Sequence, residues 1–207
     1  MNIEYREPKS LDELASLFQL RHKVYSHDPE LCKMVDPTST FDINWYDFNA
    51  IHFGAFCEGV PIAYIRMTTP HENHFTDWVK EIQETQNILI VKKEHVFPFQ
   101  NYYPDTRWTE TFVKTLEGKK IGEVGKLAID PSFRKGGGIL KDLYSSFLHH
   151  CITENGFDAG FGSCSLELER YYKKFGFVRA EGSFPFVFDD LPLAVIVCFD
   201  VSKHSIV

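Results

Sequence analysis

The chain has 207 residues, which is enough for one large domain to bury a core of its own. Hydrophobic residues make up 43% and charged residues 25%, an ordinary globular composition that argues against disorder. The net charge of -7 disfavours a nucleic-acid-binding protein, because such a protein needs a basic face to displace counterions.

Cysteine usage and the first residues bear on the cellular compartment. The five cysteines are scattered and form no C-x-x-C pair, so neither a disulfide framework nor a zinc knuckle is predicted. Residues 1–6 are charged and lack the apolar stretch of a signal peptide. No apolar run approaches the roughly 18 residues that span a bilayer. We therefore expect a cytoplasmic protein with no membrane span and no nucleic-acid partner.

The N-terminal part of the chain predicts a helix followed by a hairpin. Ser10 with Glu13 three residues later is typical of a helix start, and apolar residues then recur at helical spacing until 27–29. Residues 51–56 and 61–67 favour two strands around a turn at Glu58-Gly59.

Residues 69–120 are interpreted as an elaborated region inside a single domain spanning 1–207, with one helix near 75–85. His71 and His74 lie in this region, but no third ligand follows at a recognisable spacing, so no metal is predicted. A group of aromatic residues either lines an acyl pocket or forms ordinary core under a long loop: Phe97, Phe99, Tyr102 and Tyr103.

The C-terminal part alternates strands and helices, which is an α/β arrangement. Residues 123–129 predict a buried strand, and an apolar stripe over 139–151 predicts a helix. Gly156 supplies the C-terminal cap of that helix. A strand at 157–163, a short helix at 166–175 and a final strand at 193–199 follow.

The segment Arg134-Lys135-Gly136-Gly137-Gly138 joins that strand to that helix. Free amides at a helix start, with two cations beside them, are suited to bind a phosphate group. The P-loop pattern and the dinucleotide fingerprint are both missing, because position 141 is Lys and no Gly-Lys-Ser/Thr string occurs. The alternative is a turn whose glycines serve conformation alone.

A second motif, Tyr172-Lys173-Lys174-Phe175-Gly176-Phe177, decides between these readings. Together with the glycine segment it resembles the GNAT acyltransferase superfamily, whose diphosphate loop is Arg/Gln-x-x-Gly-x-Gly/Ala. Two registers fit that loop: from Arg134, Gly137 matches and Ile139 departs, whereas from Phe133, Gly136 and Gly138 match and the leading Arg is lost. The resemblance implies a mixed, mostly antiparallel α/β sheet flanked by helices.

The N-terminal half is similar to one branch of that superfamily. Leu20-Arg21-His22-Lys23-Val24-Tyr25, with Asp42 and Asp47 further on, resembles the N-acyl amino acid synthase and acyl-homoserine-lactone synthase branch. The resemblance implies an acyl thioester of coenzyme A or of acyl carrier protein as cosubstrate, a small-molecule amine as acceptor, and no metal.

The resemblance also implies roles for particular residues. The backbone of Leu127, Ala128 and Ile129 would hold the pantetheine arm, and Arg134, Lys135, Gly136, Gly137 and Gly138 the diphosphate. Tyr172 would be the general acid and Glu123 the base, while Arg21, Asp42 and Asp47 would shape the acceptor side. Each role has an alternative. Tyr172 could instead be a core residue, and Glu123 a charged strand end that faces solvent. The acidic residues and Arg21 could instead form a surface salt bridge and cap turns.

Three hypotheses about function follow. The first is an N-acyltransferase of the synthase branch that moves a long acyl chain to a small amine, such as the amino acid that a long-chain N-acyl amino acid synthase uses. The second is an acetyltransferase that uses acetyl-coenzyme A on a metabolite or protein amine. The third is a module that binds an acyl thioester without catalysis.

Overall fold

The computed structural model describes residues 2–135 and 138–201. Within these ranges the strands are β1 (Ile3–Arg6), β2 (Ala50–Cys57), β3 (Val60–Thr68), β4 (Ile121–Ile129), β5 (Ala159–Ser165), β6 (Val178–Arg179), β7 (Phe186–Phe188) and β8 (Leu191–Asp200). The α-helices are α1 (Leu11–Ser26), α2 (Thr76–Thr85), α3 (Thr106–Lys114), α4 (Gly138–His149) and α5 (Leu166–Tyr172).

These strands form one mixed sheet in the order β1-β2-β3-β4-β5-β8-β6, with β7 paired to β8. The pair β4–β5 is parallel, whereas the other described pairs are antiparallel. The predicted fold class, a mostly antiparallel central sheet flanked by helices, is confirmed.

One face of the sheet is covered by α1. The hydroxyl of Ser10 accepts a hydrogen bond from the backbone N–H of Glu13 at 3.2 Å, so the predicted N-cap is present. Leu14, Leu17 and Phe18 are fully buried, and α1 packs on β3 and β4. Tyr64, Arg66 and Thr68 alternate along β3 on this same face, because successive strand side chains point to opposite sides.

The opposite face is covered by α4, whose Leu143, Tyr144 and Phe147 pack into a core with Ile65 and Met67 of β3. One turn of π-helix, His150–Glu154, follows α4. The chain then leaves through Gly156, whose φ of +63° fits the predicted glycine cap.

Four short elements were not predicted from the sequence: β1, β6, β7 and α3. The three strands are too short for a periodic pattern to show, and β6 has only two residues, whereas α3 was overlooked although Trp108 and Phe112 lie at helical spacing. Their positions are fixed by pairing with β2 and β8 and by the aromatic cluster that α3 covers. Over the described ranges, no helix is long and apolar enough to cross a membrane.

Candidate active-site cleft

The parallel strands β4 and β5 separate part way along their length. Their pairing runs from Ile121 with Ala159 to Val124 with Gly162. Beyond this point β4 follows β3 as far as Ile129, and β5 follows β8 as far as Ser165. We call this separation the fork, and a cleft of about 380 Å³ opens in it, lined by residues of both strands.

A bulge in β4 shapes one wall of this cleft. The register with β3 shifts between Tyr64 and Arg66, so that Lys126 and Leu127 together lie opposite one residue. Lys126 has a φ of +56°, an unusual conformation for a residue other than glycine. The carbonyl of Leu127 accepts a hydrogen bond from the hydroxyl of Tyr25 at 3.2 Å. Such a bulge bends the strand and increases its twist, which helps to separate β4 from β5.

Glu123 lies at the fork and lines the cleft. Its side chain is buried, with 4% of its surface exposed, so the solvent-facing reading is wrong. The backbone N–H of Phe99 donates to Oε2 at 3.0 Å, and the Tyr102 hydroxyl lies 3.3 Å from Oε1. Burial raises the pKa of this carboxyl to about 8. A carboxyl with that pKa can accept and return a proton near neutral pH.

Tyr172 ends α5 and also lines the cleft, from the α4 side of the sheet. Its ring is buried with Tyr144 and Phe177, so it is at once a core residue and a cleft residue. The hydroxyl of Tyr144 donates to the hydroxyl of Tyr172 at 3.1 Å. Burial raises the pKa of Tyr172 to about 12, so its hydroxyl stays protonated and can donate.

Arg21 and Asp47 lie behind the cleft. Both are completely buried, and Nη1 and Nη2 of Arg21 each lie 2.8 Å from a carboxylate oxygen of Asp47. Asp47 also accepts a hydrogen bond from Nη1 of Arg66, which does line the cleft. Although burial alone would raise the pKa of Asp47, the facing guanidinium groups hold it well below its usual range.

Asp42 completes this buried charge cluster. Its Oδ2 atom lies 2.8 Å from Nε of Arg21 and 3.0 Å from Nζ of Lys126. Asp42 is 6% exposed, so the reading as a surface salt bridge is wrong. The cluster therefore connects α1 to the bulge of β4 and to β3 through paired charges.

The segment predicted to bind the diphosphate is only partly described. Gly136 and Gly137 lie outside the described residues, and Gly138 begins α4. Arg134 and Lys135 are exposed, and Nε of Arg134 donates to the carbonyl of Ile129 at 3.0 Å. The role of this segment stays a prediction.

The sequence-based roles thus fall into two groups. Glu123, Leu127 and Tyr172 meet in one cleft, whereas Ala128 and Ile129 continue β4 beyond it. Arg66 and Lys126 also line the cleft but were not among the predicted site residues, whereas Tyr102, a candidate for the acyl pocket, lines it as well. Arg66 gave a usable signal, because an arginine inside an otherwise apolar strand must find a buried partner.

No protein-family model and no curated protein sequence matches the chain. Several solved structures match it nearly end to end. An acyl-CoA N-acyltransferase from Pseudomonas aeruginosa is 18% identical over 95% of this chain and 97% of its own, with a TM-score of 0.55. FeeM, an N-acyl amino acid synthase from uncultured soil microbes, is 14% identical over 96% and 91%, with a TM-score of 0.60. The coenzyme-A-dependent acyl-homoserine lactone synthase BjaI is 14% identical over 90% and 75%, with a TM-score of 0.59.

At these identities the likeness concerns the fold. The chain has the fold of the GNAT acyltransferases, as the motif ending in Gly176-Phe177 predicts. FeeM and BjaI share this fold. Their described activities are those of the branch that the segment around Arg21 resembles.

Proposed function

We propose that the protein is an N-acyltransferase that moves an acyl group from a thioester of coenzyme A or acyl carrier protein to a small-molecule amine. The observation that carries the proposal is the meeting of Glu123 and Tyr172 in the cleft at the fork. One can accept a proton and the other can donate one, which are the two tasks that acyl transfer to an amine requires.

The donor would lie along β4. The pairing of β4 with β5 ends at Val124, so the edge of β4 that faces the cleft beyond Val124 has no pairing to β5. An extended pantetheine arm could hydrogen-bond to this backbone at Leu127, Ala128 and Ile129, as a strand adds to an edge. Its diphosphate would then reach residues 134–138, where Arg134 and Lys135 supply positive charge.

The reaction would proceed by direct attack of the amine on the thioester. Glu123 takes a proton from the incoming ammonium, directly or through a water, and the neutral amine forms a C–N bond to the thioester carbon. The C–S bond then breaks, the new amide nitrogen gives up its remaining extra proton to water, and the thiolate leaves with a hydrogen bond from Tyr172. A thiol has a pKa of roughly 8.5, below the value of about 12 for Tyr172, so the tyrosine stabilises the thiolate more than it protonates it.

In its finer form, the proposal is a long-chain N-acyl amino acid synthase. FeeM is an N-acyl amino acid synthase and BjaI an acyl-homoserine lactone synthase, and aromatic residues lie at the end of the cleft near Glu123. Tyr102 lines the cleft, while Phe97 and Phe99 pack behind it against Phe161. Arg21 and Asp47 would act on the acceptor at one remove, through Arg66.

Transfer of an acetyl group is the second candidate, because a similar structure is described as a putative N-acetyltransferase from Lactobacillus plantarum. A comparison of acyl donors separates the two. Coenzyme A, acetyl-coenzyme A and a long-chain acyl-coenzyme A are added separately, and the Tm is measured. We expect the best donor to raise the Tm by roughly 5–10 °C at a hundredfold excess over its Kd.

Thiol release is then measured with the best donor and a panel of amines, and in parallel with an acyl carrier protein thioester. Release that depends on the amine supports the proposal. The absence of both stabilisation and thiol release with every donor would contradict it. Stabilisation without release would instead favour a module that binds the thioester without catalysis.

A further inference from the structure

Two side chains of β3 that line the cleft each have a buried polar atom without a partner. Nε of Arg66 and Oγ1 of Thr68 have no hydrogen-bond partner among the described residues, although Arg66 is only 3% and Thr68 only 1% exposed. The two residues are two positions apart, so they share the face of β3 that lies towards α1. Both line the cleft.

Unsatisfied atoms of this kind are rare, because a buried donor without an acceptor costs free energy. Nε of Arg66 can only donate a hydrogen bond, while the hydroxyl of Thr68 can donate or accept. A single kind of ligand atom satisfies both: an oxygen with lone pairs. Because both side chains line the cleft, a ligand bound there is the natural source of that oxygen.

The charges around these atoms favour a negatively charged oxygen. The buried cluster behind the cleft contains the cations Arg21, Arg66 and Lys126 but only the carboxylates Asp42 and Asp47. Glu123 does not supply the missing negative charge at neutral pH, because burial raises its pKa to about 8. A carboxylate bound beside Arg66 would balance the charges of the cluster.

The register of the sheet sets the distance from this position to the base. Thr68 lies opposite Glu123, and Arg66 lies opposite Gly125. Side chains directly opposite each other on antiparallel strands are about 5 Å apart at Cβ. If the carboxylate of a ligand binds at Arg66 and Thr68, a group on the carbon next to that carboxylate would therefore lie beside Glu123.

We propose that Arg66 and Thr68 form a carboxylate-binding subsite of the cleft, and that the acceptor is an α-amino acid whose amine lies at Glu123. The assignment of the amine rests on the proposed function. The subsite itself rests on the unpartnered atoms and on the excess of positive charge. It binds the carboxylate of the acceptor independently of the acceptor's side chain.

The test compares α-amino acids with the amines that remain after decarboxylation, such as leucine with isopentylamine and tyrosine with tyramine. Binding is measured by calorimetry with coenzyme A present, so that no turnover is needed. Acylation of the same pairs is measured by thiol release from the best acyl donor. We expect the amino acid to be preferred over its amine by tenfold or more in both measurements. This is the size of effect expected for the loss of one hydrogen bond to a charged group.

Two conservative variants remove the proposed contacts. Thr68→Val keeps the shape of the side chain and removes the hydroxyl, and Arg66→Lys keeps the charge beside Asp47 but replaces the Nε–H by a methylene. Each is expected to weaken amino acid binding about tenfold and to leave amine binding unchanged. Thr109→Val is the matched control, because Thr109 is a buried threonine of α3 whose hydroxyl already bonds the carbonyl of Thr106.

The outcomes separate this inference from the proposed function. Equal binding and acylation of amino acids and their amines overturns the subsite and leaves the acyltransferase intact. Amino acid binding that depends on Thr68, without acylation of any acceptor, supports the subsite and overturns the acyltransferase. A preference for amino acids that both variants retain overturns the subsite, and the absence of both binding and acylation overturns both.

Discussion

The hydroxyl of Tyr144 donates a hydrogen bond to the hydroxyl of Tyr172 at 3.1 Å. Because Tyr144 is the donor, the proton of Tyr172 is free to point at another atom in the cleft, which both residues line. The contact joins the middle of α4 to the end of α5. It therefore fixes the direction in which Tyr172 can donate.

The first prediction concerns this pair. Tyr172→Phe is expected to lower kcat by about a hundredfold, because the leaving thiolate loses its donor. Tyr144→Phe is expected to lower kcat by about fivefold, with little change in the KM of the thioester, since it acts only through the orientation of Tyr172. The double variant should then match Tyr172→Phe alone, and Tyr171→Phe serves as control. Independent, multiplying effects of the two changes would show that Tyr144 has another role.

The second prediction concerns the pH dependence of catalysis. Burial raises the pKa of Glu123 to about 8, so the carboxylate that accepts the proton forms only as the pH rises through that value. We expect kcat/KM of the wild type to rise towards a plateau above pH 8. Glu123→Gln should remove this inflection and lower kcat by about a hundredfold. A pH profile with the same inflection in the variant would exclude Glu123 as the base.

The raised pKa of Glu123 also predicts that stability falls as the pH rises, whereas the activity rises. A carboxyl whose folded-state pKa is raised binds its proton more tightly in the folded protein, so stability falls as the pH rises from about 4.3 to about 8. Glu123→Gln removes this loss, because an amide needs no ionisation. Urea unfolding at pH 9 is therefore expected to show the variant to be more stable than the wild type. A variant that loses stability equally at pH 5 and pH 9 would contradict the burial of an ionisable group here.

The third prediction concerns His150, which begins the π-helical turn after α4 and contacts Glu7, the residue that follows β1. Its Nε2 lies 2.8 Å from Oε1 of Glu7, and its Nδ1 lies 2.8 Å from Oε2 of Glu154. The hydrogen bond to Glu7 raises the pKa of the imidazole. This contribution to stability is present in full below the unfolded pKa of about 6.5 and is lost as the pH rises through the higher folded value.

His150→Gln should therefore destabilise the protein by about 0.5–1 kcal/mol at pH 5.5 and by less at pH 8.5. Urea unfolding at the two pH values measures the difference. His149→Gln, at the exposed neighbouring position, is the control. A loss that is the same at both pH values would indicate packing and not charge.

The fourth prediction concerns the glycine at the last paired position of the fork. A Cβ atom built on Gly162 would lie 2.3 Å from the carbonyl oxygen of Val124, whereas one built on Gly125 meets nothing within 4 Å. Gly162→Ala must displace backbone and is expected to cost about 1–3 kcal/mol. Gly125→Ala should change stability by less than about 0.5 kcal/mol. Thermal unfolding of the pair measures the contrast, and equal stability of the two variants would refute a close contact at Val124.

The parts of the fold that depend on local chemistry could be predicted from the sequence. Ser10 caps α1 as its spacing from Glu13 predicts, and Glu58 and Gly59 form the predicted turn with φ values of +51° and +82°. The motif that ends in Gly176 has its glycine in the left-handed conformation that ends a helix. These features require only neighbours in the chain.

The features that make the cleft depend on distant partners. The point at which β4 leaves β5 is set by pairing between residues about 38 positions apart, which no periodic pattern reports. Arg66 carried a signal in its apolar surroundings, but its partner Asp47 is set by the tertiary fold. Glu123 could be chosen by its position in a motif, whereas its burial is known only from the assembled sheet.

The fork between β4 and β5 has a consequence for how such proteins diverge. The gap arises where a ladder of main-chain hydrogen bonds stops, and the glycines Gly122, Gly160 and Gly162 of that ladder leave no free room for a Cβ atom. Main-chain hydrogen bonds do not involve side chains, so they constrain the identity of the flanking residues only weakly. The acyl-CoA N-acyltransferase from Pseudomonas aeruginosa accordingly shares the fold although only 18% of the aligned positions agree. Because main-chain pairing forms the opening, the side chains that line it can be substituted without closing it. A new substrate preference can therefore arise by substitution of these lining residues alone.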